Sequence, residues 1–405
     1  MTAEGKTIQN SAKITLALCF LLALMEGFDL QSMGVAAPMM REAFQLEPNQ
    51  LGMAFSAATL GTLPGALLAG KLADMYGRKP ILIVNTILFG LMSVLTAHAE
   101  SFPLLLAARF LTGLGLGGAL PILITMATEA VSPKWRGTAV SVMYCGVPAG
   151  GIITSLVAIS MAKQFGWESI FYVGGFAPLL LLPVIWFFLP ESKAYLQSKL
   201  EAEQQRFSIP HILFGEGRLF GSIQLWISFF CTLIVLYVLL NWLPTLFANQ
   251  NFSREEINYV QIGFNVGGVL GTLLLGLLLD KLNIKAVIIM IYVGMLAALY
   301  ALSEGSSLSA LIAATTACGI FIIGGQGALY ALAGMFYPAA IRGTGVGTAV
   351  AVGRAGSFAG PILAGLILGA GQASGAVISA AIPVIAVAFI SAFLLVLRFK
   401  HHKHD

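Results

Sequence analysis

Charge is scarce in this sequence. Asp and Glu number 18 and Lys and Arg 22 in 405 residues, 10% together, while 58% of residues are hydrophobic. A soluble domain of this size does not carry so little charge, which leaves the polytopic membrane proteins. Cysteine is rarer still. Cys19, Cys145, Cys231 and Cys318 all fall in apolar runs, so free thiols packing as small apolar groups are expected and a disulfide framework is not. The histidines are too scattered for a metal site: His98 and His211 lie in loops, and "HHKHD" at 401–405 is a solvated basic tail. No glycine-rich phosphate-cradling loop is present, so the energy source is expected to be an ion gradient and no cofactor is implied. The apolar runs also lack the nucleophile–base pair or metal cluster that a membrane enzyme would need.

What is there instead is a series of apolar runs. A helical span needs about 20 mostly apolar residues. Twelve are predicted, at 14–36, 50–71, 80–98, 103–129, 137–161, 170–189, 222–247, 256–280, 284–302, 307–336, 342–370 and 374–399. The first is long enough to span and is followed by no small-residue cleavage site, so it reads as an uncleaved helix. With both termini inside, 17 of the 22 Lys and Arg fall in inner segments. Three (Arg41, Lys163, Arg254) fall outside and two (Arg109, Arg354) within spans. That imbalance predicts cytoplasmic termini. The net charge of +4 therefore reflects topology and implies no nucleic-acid partner.

The spans divide into a six-helix bundle at 1–189, a polar cytoplasmic linker at 190–221 and a second six-helix bundle at 222–405. One offset, 206 residues, aligns Pro38 with Pro244, Gly65 with Gly271, Gly70 with Gly276 and Asp74 with Asp280. It also sets Arg136-Gly137-Thr138 on Arg342-Gly343-Thr344. Such a register predicts a duplicated six-helix unit, and it resembles the parallel repeat of major facilitator transporters. The expected fold class is thus all-α, twelve transmembrane helices in two pseudo-repeats.

"GKLADMYGRK" at 70–79 resembles that superfamily's motif between helices 2 and 3. Gly70 is expected to allow close helix packing and Asp74 to face the positive end of another helix. Gly77 would support the turn, and Arg78 and Lys79 would anchor the inner face. The resemblance implies a cytoplasmic latch between the halves. The second copy, "GLLLDKLNIK", keeps Asp280 but has Ile284 in place of Arg78, implying a weaker latch. "RFLTGLGLGGALP" from Arg109 and "GVPAGG" at 146–151 resemble the helix 4 and helix 5 motifs. "EAVSPKWRG" and "PES" resemble the sugar and organic-ion branches. By that resemblance Glu129, Arg136, Glu191 and Arg342 are gate and topology residues and not substrate ligands, while for the 70–79 motif a charged turn that merely sets topology is the alternative.

Glu26-Gly27-Phe28-Asp29 in the first span resembles the Asp-Gly-aromatic-Asp signature of the aromatic acid:proton symporter family. The likeness extends over all twelve spans. "LMEGFDLQ", "MYCGVP" and "GTAVAVGRAG" look most like the branch that carries 3-(3-hydroxyphenyl)propionate and hydroxycinnamates. The resemblance implies import of a small monoanionic aromatic carboxylate with a proton, by a functional monomer in the bacterial inner membrane, surrounded by lipid.

A charge at mid-bilayer costs several kcal/mol, so it persists only with a partner, a wet cavity or a protonation role. Glu26 and Asp29, three residues apart, share a helix face. Asp29 lies about seven residues below the outer end of its span and Arg109 about six, both roughly 10 Å down at 1.5 Å per residue. Glu26 and Arg354 both lie near the midplane. Depth therefore pairs Asp29 with Arg109 and Glu26 with Arg354, either as structural ion pairs or as working groups. In the working reading Asp29 carries the proton, with Arg109 tuning it and Glu26 as the alternative carrier. Arg354 receives the substrate carboxylate with its planar fork, and its neighbours Gly353 and Gly356 are expected to leave a ligand room beside it. Tyr144, Tyr237, Asn241, Trp242, Gln261, Asn265, Gln326 and Tyr330 sit at helix positions that line transporter cavities, where rings suit an aromatic substrate. A proton-coupled exporter of drugs or aromatic compounds and a non-transporting aromatic-acid receptor are the competing functions. A buried arginine favours an anion over a cationic drug, and the lack of a soluble signalling domain disfavours the receptor.

Overall fold

The computed structural model describes residues 3–192, 215, 218–248, 252–337 and 342–397; the side chains of 3–11, Pro133, Asp280 and 342–344 lie outside that description. Among the described residues twelve helices are long and apolar enough to cross a membrane, and no strand occurs. The helices α1 to α6 are Ala3–Phe44, Pro48–Tyr76, Arg78–Ala97, Phe102–Glu129, Arg136–Phe165 and Glu168–Phe188. Helices α7 to α12 are Leu219–Ala248, Arg254–Lys281, Ile284–Glu304, Leu308–Phe336, Arg342–Gly369 and Ser374–Leu397. They form two compact units, Met1–Glu203 and Gln204–Asp405. Most of the linker expected at 190–221 lies outside the described residues.

Several helices outrun the apolar spans that announce them. Helix α1 continues from 36 to Phe44 and α2 from 71 to Tyr76. Hydropathy marks the width of the bilayer, whereas the hydrogen-bond ladder stops only where the backbone turns. Here it turns at Gln45 (φ 54°) and Gly77 (φ 104°), both in the positive-φ region that ends helices. α5 and α10 each contain a five-residue π segment, Ala158–Ala162 and Gly319–Ile323. All four cysteines are free thiols.

The duplication is visible in the helix ends. Pro48 and Arg254, Arg78 and Ile284, Phe102 and Leu308, Arg136 and Arg342, and Glu168 and Ser374 each begin a helix, and each pair is 206 residues apart. Packing repeats at the same offset. A Cβ on Gly61 would lie 2.1 Å from the Phe110 carbonyl oxygen, and one on Gly267 2.0 Å from that of Thr316. Gly113 meets Ala58 as Gly319 meets Phe264, and Gly150 meets Leu24 as Gly356 meets Phe230. In each unit, then, the second and fourth helices touch backbone to backbone, as do the first and fifth. Small residues allow such approach where lipid supplies no hydrophobic force between helices.

Candidate functional site

In the first unit the charges meet on α1 and α4. Asp29 is 0% exposed and Arg109 1%. Arg109 Nη1 donates to Asp29 Oδ2 at 3.2 Å and Oδ1 at 3.4 Å, and Nη2 donates to the Asp29 main-chain oxygen at 3.2 Å. Ser93 of α3 donates to Oδ1 at 2.8 Å. The Phe171 ring of α6 lies 5.6 Å from the guanidinium carbon, within cation–π range. The depth match of Asp29 with Arg109 is therefore a real contact. Glu26 is buried at 3% exposure. The glycine between them has a packing reason: a Cβ on Gly27 would lie 2.0 Å from the Val147 oxygen of α5. Helix α1 thus turns Gly27 to α5 and Asp29 to α3 and α4. Ser93 and Phe171 escape sequence reasoning, since a serine or phenylalanine in a span is ordinary.

In the second unit Arg354 of α11 is half-buried, and its Nη1 donates to Tyr237 Oη of α7 at 2.9 Å. Among the described residues nothing accepts the Tyr237 hydroxyl proton. Tyr330 of α10 lies within electrostatic reach of both groups, its ring edge-on to Phe229 at 5.5 Å. One turn earlier on the same face, Gln326 is 2% exposed, and its Nε2 has no hydrogen-bond partner among the described residues. It lies three residues after the π segment of α10, and such bulges often mark functional positions.

The glycines beside Arg354 correct an expectation. A Cβ on Gly356 would lie 2.2 Å from the Phe230 oxygen, and one on Gly353 2.6 Å from Leu233. They hold α11 against α7, so the space at the glycines themselves is taken by that helix. Gly353–Leu233 is also the exchanged counterpart of Val147–Gly27, with small and large residues swapped between helices.

Four other candidates each donate a hydrogen bond to a main-chain oxygen within the bundle. Trp242 is fully buried and donates to the Pro361 oxygen at 3.1 Å. Asn241 donates to the Tyr237 main-chain oxygen at 2.9 Å, Asn265 to that of Gln261 at 3.0 Å, and Gln261 reaches the Leu240 oxygen at 3.4 Å. Tyr144 packs against the apolar core of the first unit.

The end of the first unit where α2 meets α3 holds a second network. Arg78 pairs with Glu129 and donates to Ser192, and Ser192 donates to Glu129 at 2.6 Å. Glu191 accepts from the backbone N–H groups of Arg78 at 2.9 Å, Lys79 at 3.2 Å and Ser192 at 2.8 Å. It caps α3, supplying the negative charge that a helix N-terminus favours. Lys79 donates to the Trp186 oxygen at 2.6 Å. Gly77 is required twice over, by its positive φ and because a Cβ there would lie 2.5 Å from Glu191 Oε2. Gly70 corrects the packing expected of it, for a Cβ there would meet nothing within 4 Å. Asp74 and Arg136 are exposed, and the Asp280 and Arg342 side chains lie outside the described residues.

A family model described as Major Facilitator Superfamily matches residues 19–303 and 225–405. The chain belongs to the Major Facilitator Superfamily. It is therefore a multi-pass transporter, not an enzyme. Among its superfamily relatives, the 3-(3-hydroxy-phenyl)propionate transporter of Escherichia coli K12 is 47% identical, over 98% of this chain and 97% of the relative. A 4-hydroxybenzoate transporter, PcaK, of Pseudomonas aeruginosa is 34% identical over 87% and 86%. The superfamily fold is matched by a partially occluded inward-open structure of the xylose transporter XylE from E. coli. That structure has a TM-score of 0.77 and 16% identity, covering 98% of this chain and 99% of the other.

Proposed function

We propose that this chain imports a monoanionic aromatic acid together with a proton, by alternating access, in the bacterial inner membrane with both termini cytoplasmic. The substrates after which its relatives are named, a hydroxyphenylpropionate and a hydroxybenzoate, support the substrate class. The seventeen-to-three bias of Lys and Arg supports the orientation.

The observation that carries the reading is the difference between the two units. The 206-residue offset repeats several packing glycines but not the charges buried within the spans. Asp29 and Arg109 correspond to Val235 and Thr315, and Arg354 and Tyr237 to Pro148 and Gln31. One scaffold thus holds a sealed acid–base pair in one copy and a half-buried cation with a hydroxyl donor in the other. The pair suits a proton: protonating Asp29 removes the Coulombic hold between α1 and α4. The Arg354–Tyr237 group suits a carboxylate, which takes a charged fork and an O–H donor together. A proton carried with the anion leaves the translocated charge neutral. Without it, an inside-negative potential would oppose uptake by about 2.3 kcal/mol per 100 mV.

The test is uptake of labelled 3-(3-hydroxyphenyl)propionate into proteoliposomes. Accumulation driven by an imposed inward proton gradient is expected, with counterflow when the gradient is collapsed. Binding without counterflow would identify a receptor and overturn the proposal.

A further inference from the structure

We infer that Ser93 is a positioning residue for the coupling proton, a hydroxyl that turns between two helices as Asp29 gains and loses its charge. The inference rests on the reading of Asp29 as the proton carrier.

Ser93 is fully buried, and its Oγ has two acceptors on two other helices: Asp29 Oδ1 of α1 at 2.8 Å and the Phe171 main-chain oxygen of α6 at 3.3 Å. A serine hydroxyl has one proton and two lone pairs, so it serves one acceptor at a time. With Asp29 ionised, the proton belongs on the shorter, charge-assisted bond to Oδ1. When a proton binds Oδ1, the new O–H needs an acceptor in a site closed to water. Ser93 Oγ stands 2.8 Å away with a lone pair to offer, and its own proton then turns to Phe171. One proton enters, none leaves, and neither protonation state orphans a buried polar group, which would cost about 1–3 kcal/mol.

Two further observations set Ser93 apart. The other hydroxyls of α3 bond back to their own helix, Thr86 to Leu82 and Thr96 to Met92, as isolated helical hydroxyls do. Ser93 alone reaches across. Moreover, α6 is drawn close enough to be reached. A Cβ on Gly175 would lie 2.6 Å from the Gly90 oxygen of α3, and one on Gly174 3.3 Å from Ser93 Oγ itself. The charged groups that face Asp29 are Arg109 from α4 and, one turn away on α1, Glu26. Helices α3 and α6 contribute the hydroxyl, a carbonyl and the Phe171 ring, none of which titrates near neutrality.

The experiment measures two things on purified, folded protein in liposomes. One is the pH midpoint of the infrared carboxyl band that vanishes in Asp29→Asn. The other is the pH profile of gradient-driven uptake of labelled 3-(3-hydroxyphenyl)propionate. Ser93→Ala is expected to move both midpoints together, because Asp29 loses the hydroxyl that bonds it in its charged form. Ser93→Thr, which keeps the hydroxyl, is expected to restore the wild-type midpoint, and Ser93→Cys, a weaker donor, to give a smaller move in the same direction. A purely structural serine would change yield or melting and leave the midpoints in place. If Asp29→Asn abolishes driven uptake but Ser93→Ala keeps both wild-type midpoints, the inference about Ser93 is wrong while the proton-carrier reading stands. If Asp29→Asn retains driven uptake, both fall.

Discussion

Arg109 holds Asp29 twice, through the carboxylate and through the main chain: Nη1 lies 3.2 Å from Oδ2 and Nη2 3.2 Å from the backbone oxygen. The second bond does not depend on charge. It keeps α1 and α4 in register when Asp29 is neutral, so a neutral Asp29 reports on coupling and not on collapse of the site.

Asp29→Asn is accordingly expected to reach the membrane and fold, but to lose uptake driven by a pH gradient. Arg109→Ala should behave differently. It leaves a buried carboxylate without its counter-charge, a change that costs about 3–5 kcal/mol. Thermal unfolding in detergent should separate the two: both lose the buried charge pairing, and Arg109→Ala, which also loses the bond to the Asp29 main-chain oxygen, should fall further below wild type than Asp29→Asn. Wild-type gradient-driven uptake in Asp29→Asn would assign the pair a purely structural role.

Arg354 is the expected anion receptor. Arg354→Lys keeps the charge and loses the fork, and should weaken acid binding; Arg354→Ala should remove most of it, by roughly 2–5 kcal/mol if the site is desolvated. Tyr237→Phe removes one hydroxyl donor and should cost about 1 kcal/mol. The corresponding aromatic amide, lacking the anion, should bind wild type poorly. Calorimetric titration of the purified protein with 3-(3-hydroxyphenyl)propionate and its amide measures each term. An Arg354→Ala variant that binds the acid like wild type would move the anion site to Arg109.

The two sites differ in how far the sequence discloses them. Depth arithmetic finds Asp29 with Arg109 because a rigid rise per residue converts a count along two helices into a common height. It gives no azimuth, so it is silent on Ser93, which reaches Asp29 from a third helix. The same blindness misreads Gly353 and Gly356. Small residues beside a functional cation look like space in one dimension, yet in three they are where α7 lies against α11. Trp242 reads as a stacking platform because its donor's partner, the Pro361 carbonyl, is 119 residues away. Repeats fare better, for a constant offset survives folding: the glycine contacts and the helix starts both keep it.

The network at the N-terminus of α3 predicts an effect on state balance without an effect on ligand chemistry. Glu191→Ala uncaps the three N–H groups it now satisfies, a loss of about 1 kcal/mol on the scale of helix caps. Glu129→Gln removes the charge opposite Arg78 while preserving shape. Both should alter the accessibility of cysteine probes on the cytoplasmic side and the rate of transport, while the affinity for 3-(3-hydroxyphenyl)propionate stays at the wild-type value. Asp74→Asn is expected to act likewise if the exposed Asp74 serves the latch. Unchanged probe accessibility in all three would leave this cluster a capping device of the first unit alone.

The glycines provide the sharpest contrast. Gly61 and Gly267 occupy equivalent places in the two units, and a Cβ on either would lie about as far from a facing carbonyl oxygen, 2.1 and 2.0 Å. Backbone cannot yield as a side-chain tip can, so the helices must separate. Gly61→Ala and Gly267→Ala are each expected to cost at least about 1–3 kcal/mol, the range for overpacked cores. Gly70 belongs to the same helix as Gly61 and to the best-marked motif of the chain, yet a Cβ there meets nothing within 4 Å. Gly70→Ala should therefore be tolerated, with a gain of up to about 1 kcal/mol from a less mobile unfolded helix. Melting temperatures of the three variants decide the matter. If Gly70→Ala destabilises the protein as much as Gly61→Ala, the open space at Gly70 is closed in another state of the transport cycle, and its glycine is kept for that state.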